Sequence, residues 1–267
     1  MNTLIISTLS IILSYSGFVH GANNAFSLGV FPYVSTSKLI SHNKHVIKHI
    51  NRTTKYDVSL VTAKNAPSYV SNLKNFEYDF IFTPPHLARF VEKQFAYQRV
   101  VMTSHNIRGV YLTKQDSAIH TLKDLQNKKL SLGPAKTILH QLTLNELNNY
   151  NIVPEKNITL QIVNTHNNAI YDLLKGDSDA AVTGVKIWQK LAASKKSQLR
   201  QISLTAPSSG FIILAKPGMN KTIIKELQDS LLAFNKTIAA KTYLFNGFQL
   251  LKENDMRSLD IHAKIFE

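Results

Sequence analysis

Short apolar runs closed by turn residues alternate with longer amphipathic stretches along most of the chain. Phe26 to Phe31, Asp57 to Thr62 and Asp79 to Phe82 predict strands. A run of three or four apolar residues between turn signals suits a strand buried on both faces, as in a parallel sheet. Between these runs, Ser37 to Asn51, Pro67 to Asn75 and the stretch from Pro84 predict helices. In the first helix Leu39, Val46, Ile47 and Ile50 share one face. Gln98 to Thr103 and Gly109 to Thr113 follow as a strand pair.

A second series repeats the alternation. It predicts strands at Lys129 to Leu132, Ile158 to Val163 and Asp179 to Val182, and helices at Ile119 to Leu125, Thr137 to Asn149, Asn167 to Lys175 and Val185 to Ala193. Near Leu199 to Ser203 and Gly210 to Leu214 the chain crosses back, and Asn220 to Phe234 is helical, with a further helix towards Phe245. One phrase occurs in both series: Asp79-Phe-Ile-Phe-Thr83 and Asp179-Ala-Ala-Val-Thr183 each place Asp at the start of a strand and Thr at its end. Pro84 or Gly184 then opens a helix, and Thr is a good cap for one. Strands alternating with helices imply an α/β protein. Two similar halves suggest two lobes, 22–105 with 206–267 and 106–205, joined by hinge crossings near 104–108 and 203–209.

The ends and the charge narrow the class. Met1 to Gly21 carries no Asp, Glu, Lys or Arg, and Leu4 to Leu13 is too short to span a bilayer but has the length of a signal-peptide core. Cleavage after Gly21 is expected, leaving a periplasmic protein; a retained membrane anchor is the alternative. The chain has no Cys, which excludes disulfides, thiolate zinc sites, cysteine nucleophiles and a thiol-linked lipid. A formal net charge of +14 favours anionic ligands or surfaces. The basic residues are scattered, and no helix-turn-helix, zinc-finger or RNA-binding signature accompanies them, so nucleic acid is not an expected partner.

The layout resembles the phosphate, phosphite and phosphonate-binding family of ABC-transporter periplasmic substrate-binding proteins, with the type 2 periplasmic-binding-protein fold. The phrases that carry the resemblance occur in order: Leu28-Gly-Val-Phe-Pro-Tyr33, Tyr78-Asp-Phe-Ile-Phe-Thr-Pro84, Leu122-Lys-Asp-Leu-Gln-Asn-Lys-Lys-Leu-Ser-Leu132 and Lys175-Gly-Asp-Ser-Asp-Ala-Ala-Val182. Membership implies two α/β lobes, each a mainly parallel sheet flanked by helices, closing around a small anion. It also implies a membrane permease, a separate ATPase and a monomeric binding protein. One segment departs from the pattern: where the family carries Asp-Pro-x-Ser-Thr-Ser-Gly, this chain has Gly133-Pro-Ala-Lys-Thr-Ile-Leu139. The helix N-terminus there still favours an anion. Lys136 supplies charge to the ligand or points to solvent, and Thr137 retains one hydroxyl.

Tyr33, Thr83, His86, Lys136, Thr137, His166 and Thr183 are the candidate ligand-binding residues. Tyr33, Thr83 and Thr183 fall at the ends of predicted strands, where ligands bind in open α/β sheets. His86 opens a helix, and His166 precedes one. His42, His45 and His49 share a helix face, but no HExxH motif or Cys/His cluster supports a metal, and none is expected. Asp79 and Asp179, at the opposite strand ends, are structural turn residues. Gly-x-Ser-x-Gly and Gly-x-Gly-x-x-Gly are both missing, so catalysis and cofactors are not expected. A solute-binding protein for a phosphonate or phosphate-like oxyanion is the leading function. A ligand-sensing module docking on a membrane receptor is the alternative.

Overall fold

The apolar runs assemble into two separate sheets. The computed structural model describes residues 24–267, so the leader prediction for 1–21 lies outside the described residues. The first half contains β1 (Ala25–Val30), α1 (Thr36–Thr53), β2 (Asp57–Thr62), α2 (Ala66–Lys74), β3 (Phe80–Thr83), α3 (Pro85–Phe95) and β4 (Gln98–Thr103). The second half follows with β5 (Gly109–Lys114), β6 (Lys129–Leu132), α4 (Ile138–Asn149), β7 (Thr159–Ile162), α5 (His166–Lys175), β8 (Ala180–Gly184), α6 (Val185–Gln189), α7 (Ala193–Lys196) and β9 (Leu199–Leu204). The chain then returns to the first half with β10 (Ile212–Ala215), α8 (Lys221–Phe234), β11 (Phe248–Gln249), α9 (Glu253–Arg257) and α10 (Asp260–Ala263).

The first sheet has the order β11-β4-β10-β3-β1-β2 and the second β7-β6-β8-β5-β9. Both are mixed rather than purely parallel. The strand that enters or leaves a half by a crossing inserts antiparallel between its neighbours: β10 between β3 and β4, and β5 between β8 and β9. This corrects the expected strand pair, because β4 and β5 belong to different sheets. The predicted helix from Val185 to Ala193 is also two short helices, α6 and α7. The strand and helices after Phe248 had no prediction.

Each sheet is covered on both faces. Leu39, Val46 and Ile50 of α1 and Leu227, Leu231 and Phe234 of α8 pack on one face of the first sheet. Tyr69 and Leu73 of α2, Leu87 and Val91 of α3, and Leu259 and Ala263 near the end of the chain pack on the other. Full burial explains why β3 is apolar from Phe80 to Phe82 and has no polar alternation before Thr83. In the second half Leu147 of α4 packs on one face, while Ala169, Ile170 and Leu173 of α5 pack with Trp188 on the other.

Repeated Asp residues tie strand starts together. Asp79 accepts from the Ser27 N–H and hydroxyl and pairs with Lys216 at 2.7 Å. Burial pushes its carboxyl up, but the Lys216 ammonium and the two Ser27 donors hold it below its ordinary value. Asp179 accepts from the Lys129 N–H at 2.8 Å.

The two crossings run side by side. Ile107 and Ser208 exchange backbone hydrogen bonds of 3.0 and 2.8 Å, and the buried Thr205 hydroxyl accepts from the Gly109 N–H. Gly210 is required there, because a Cβ would lie 2.2 Å from the Thr103 hydroxyl and 2.5 Å from the His105 carbonyl.

Candidate functional site

The carboxyl ends of β1 and β3 lead into Phe31 and into Pro84 at the start of α3, which border a cavity of about 520 Å³. Pro67, Val70, Ser71 and Lys74 of α2 form a second wall, and His86 and Leu87 of α3 a third. Lys136 arrives from the second half, and Ile265, Phe266 and Glu267 close the remaining side. Helix N-termini of α2, α3 and α4 lie around this space, each with unsatisfied N–H groups and partial positive charge.

The two halves touch across the cleft. His86 Nε2 donates to the Lys136 carbonyl oxygen at 3.1 Å, so its proton sits on Nε2 and Nδ1 is left as an acceptor. That Nδ1 is buried and has no protein partner. On the other flank the Lys186 ammonium donates to the Leu244 carbonyl oxygen and lies 3.5 Å from the Asn246 side-chain oxygen.

Three histidines enclose the loop from Gly133 to Lys136. His86 holds its end, His140 Nδ1 donates to the Gly133 carbonyl oxygen at 3.1 Å, and the His166 ring lies over Gly133. A Cβ at position 133 would sit 2.1 Å from His166 Nδ1, which explains Gly in place of the Asp expected there. Burial drives His86 and His166 down to about 4 and also lowers His140. All three are therefore neutral at pH 7.

Of the residues singled out in the sequence, His86 and Lys136 border the cavity. Thr83, immediately before Pro84, is fully buried and its hydroxyl has no partner. It does not cap α3 as expected, because β3 runs through it and Pro84 occupies the cap position. Thr183 likewise lies within β8; its hydroxyl donates to the His166 carbonyl oxygen at 3.0 Å. Thr137 caps α4, accepting from the His140 N–H and donating to the Pro134 carbonyl oxygen.

Tyr33 packs on the opposite core. Its ring meets Phe211 and Phe245 edge-on, its hydroxyl lies 3.2 Å from His42 Nδ1, and burial pushes its phenol up to about 12. His49 Nε2 donates to the Ser230 carbonyl oxygen, so that helix face is engaged in packing. Sequence reasoning missed Phe31, Val70 and Phe266, which carry no polar signal, and His140. The spacing of His140 from Thr137, within the first turn of α4, was the available clue.

Several buried polar atoms without partners lie near the strand ends, the helix starts and the crossings, and others, at His49, Ser178 and Arg200, lie elsewhere. Among the described residues the former include Thr83 Oγ1, His86 Nδ1, Thr103 Oγ1, His166 Nδ1 and Ser208 Oγ. An orphaned buried polar group costs about 1–3 kcal/mol, so His86 Nδ1 at the cavity and Thr83 Oγ1 beside Pro84 suit a polar ligand.

Known proteins share this architecture. The chain is similar to PhnD1 from Prochlorococcus marinus in complex with methylphosphonate, with 15% identity and a TM-score of 0.74, covering 91% of this chain and 98% of that one. It is similar to XAC2383 from Xanthomonas citri bound to ATP, with 18% identity and a TM-score of 0.72 over 90% and 96% of the two chains. A binding-protein component of a phosphonate ABC transporter from Pseudomonas aeruginosa has 15% identity and a TM-score of 0.70 over 90% and 86%. Among curated proteins none matches the chain in sequence. The family model described as "ABC transporter, phosphonate, periplasmic substrate-binding protein" matches residues 28–255. The chain belongs to that family of periplasmic substrate-binding proteins.

Proposed function

We propose that this chain captures a phosphorus oxyanion, a phosphonate or phosphate-like compound, between its two halves and delivers it to an ABC permease driven by a separate ATPase. The observation that carries this reading is the cavity bordered by both halves, with helix N-termini around it and Lys136 in its wall. Backbone N–H groups and a lysine ammonium supply the charge-assisted bonds an oxyanion requires. No bond is made or broken in this role, and no cofactor is needed.

The halves, 22–105 with 206–267 and 106–205, act as lobes hinged at 104–108 and 203–209. Closure is favoured because ligand contacts from both halves exist together only in the closed state. Lys136 donates to the oxyanion, and His86 Nδ1, an acceptor, takes the P–OH of a monoprotonated ligand. Thr83 offers its free hydroxyl as the lobes adjust, while Thr137, His166 and Thr183 fix the loop and helix on the second side and Tyr33 supports the first. The leader 1–21 directs export and is cut after Gly21. The mature protein works as a monomer, without nucleic acid. Family membership in a transport component disfavours the signalling alternative.

A thermal-shift screen of the chain from Ala22 onward tests this function. Phosphate, phosphite, methylphosphonate, phenylphosphonate, sulfate and amino acids are compared. Ligand at a hundred times its Kd stabilises by about 2.7 kcal/mol, a rise of roughly 5–10 °C for a chain of this size. Shifts confined to phosphorus oxyanions support the proposal. Shifts with amino acids alone, or with none of these compounds, contradict it.

A further inference from the structure

We infer that the anion taken by this cavity carries an apolar substituent, an aryl group or an alkyl chain several carbons long. This rests on the oxyanion reading above and names its ligand class. The hydroxyl inventory around the site is poor. Lys136 and Ile138 stand where hydroxyls were expected, and the Thr137 hydroxyl is already bonded to Pro134 and His140. A bare oxyanion finds few side-chain donors here.

The walls are instead apolar. Phe31, Pro67, Val70, Leu87 and Phe266 line the space, and the Phe266 ring packs 5.1 Å from the His86 imidazole and 5.6 Å from the Phe90 ring. A volume of about 520 Å³ lies in the range of pockets that enclose drug-sized organic molecules. It leaves much of its apolar wall untouched by an anion as small as methylphosphonate.

Charge is present at two places. Lys74 at the end of α2 and Lys136 both border the cavity and are exposed, and neither forms an ion pair among the described residues. Glu267 borders it as well. Lys136 stands beside the N-termini of α3 and α4, so the oxyanion head belongs there. The substituent then extends between Phe31, Val70 and Phe266. Each methylene removed from water there strengthens binding about fourfold.

Titration calorimetry at pH 7 on the chain from Ala22 tests this with phosphate, methylphosphonate, hexylphosphonate, phenylphosphonate and hexanol. Hexylphosphonate and phenylphosphonate are expected to bind at least tenfold more tightly than methylphosphonate, with hexanol far weaker. Phe31→Ser and Val70→Gln, two independent cavity variants, should weaken the larger phosphonates about tenfold and leave methylphosphonate within twofold. Lys136→Met should weaken all of them. If methylphosphonate or phosphate binds as tightly as the larger compounds, the inference is overturned and the oxyanion function stands. If hexanol matches hexylphosphonate, the head-group assignment is wrong. If no phosphorus compound binds, both the inference and the function fall.

Discussion

The two halves of the molecule share a layout but not a chemistry. Ten of the twelve largest fully buried side chains belong to the first half; Tyr111 and Leu112 are the exceptions. Among the described residues, every close aromatic pair lies in the first half, from Phe26 with Tyr56 to Tyr243 with Phe248. So does every ion pair, including the network in which Glu92 joins Arg89 and Arg99, with Arg99 reaching Glu253 and Arg89 reaching Asp260. Lys and Arg outnumber Asp and Glu in the second half too, yet none of its cations is paired among the described residues. Uncompensated cations keep their field. At the cavity the first half therefore provides the apolar wall and Lys74, and the second provides Lys136.

Acid should disturb both halves at their contact, with the largest effect. His86 in the first half and His166 in the second are both held near 4, below the ordinary value near 6.5, chiefly by burial. The Lys136 carbonyl partly offsets burial at His86, and the nearby His262 adds to it. Between those values the unfolded chain takes protons that the folded chain refuses. Stability is therefore complete above pH 6.5 and falls as pH drops towards 4, by on the order of 3 kcal/mol for His86 alone. Denaturant unfolding at pH 7 and pH 5 checks this, and His86→Gln should make the loss shallower. An equal loss in that variant would remove His86 from the account.

Glu92→Gln should break the asymmetry next. It leaves Arg89 and Arg99, both largely shielded, without their shared carboxylate, and should cost about 2 kcal/mol. That corresponds to a fall in Tm of roughly 4–8 °C. In the second half Asp172 meets only the uncharged Ser131 and Gln161, so Asp172→Asn should cost less than about 1 kcal/mol. Equal losses in calorimetric scans would contradict the contrast between the halves.

The legibility of the sequence followed the same division. Strands such as Asp57 to Thr62 and Gln98 to Thr103 were recoverable to the residue, because short β-branched and apolar stretches stand between polar turns, half-buried at the edge in the first and buried from Val100 onward in the second. The antiparallel insertion of β5 and β10 was not recoverable as a pairing, since a crossing strand has the same composition whichever neighbours it meets. Short helices near the end owe their stability to packing rather than to a periodic stripe: α10 packs on α3, and α9 buries Met256 in the same core. At the site, His86 and Lys136 stood out because polar residues at helix starts are conspicuous. Phe31, Val70 and Phe266 look like core residues until the fold leaves space between them.

Two smaller effects sharpen the picture. Thr137→Ala removes the cap of α4 and should cost about 1 kcal/mol. Thr83→Val replaces a buried hydroxyl that has no partner, so stability should be unchanged or slightly higher. Phosphonate affinity should fall if that hydroxyl serves the ligand. A loss above about 1 kcal/mol for Thr83→Val, read by denaturant unfolding, would show that the hydroxyl is engaged.

Hydrogen exchange of the chain from Ala22, with and without phenylphosphonate, tests capture between the halves most directly. Slowed exchange is expected together in 84–90 of the first half and 133–142 of the second. Protection in one half alone, or in neither while the compound binds, would contradict capture between them.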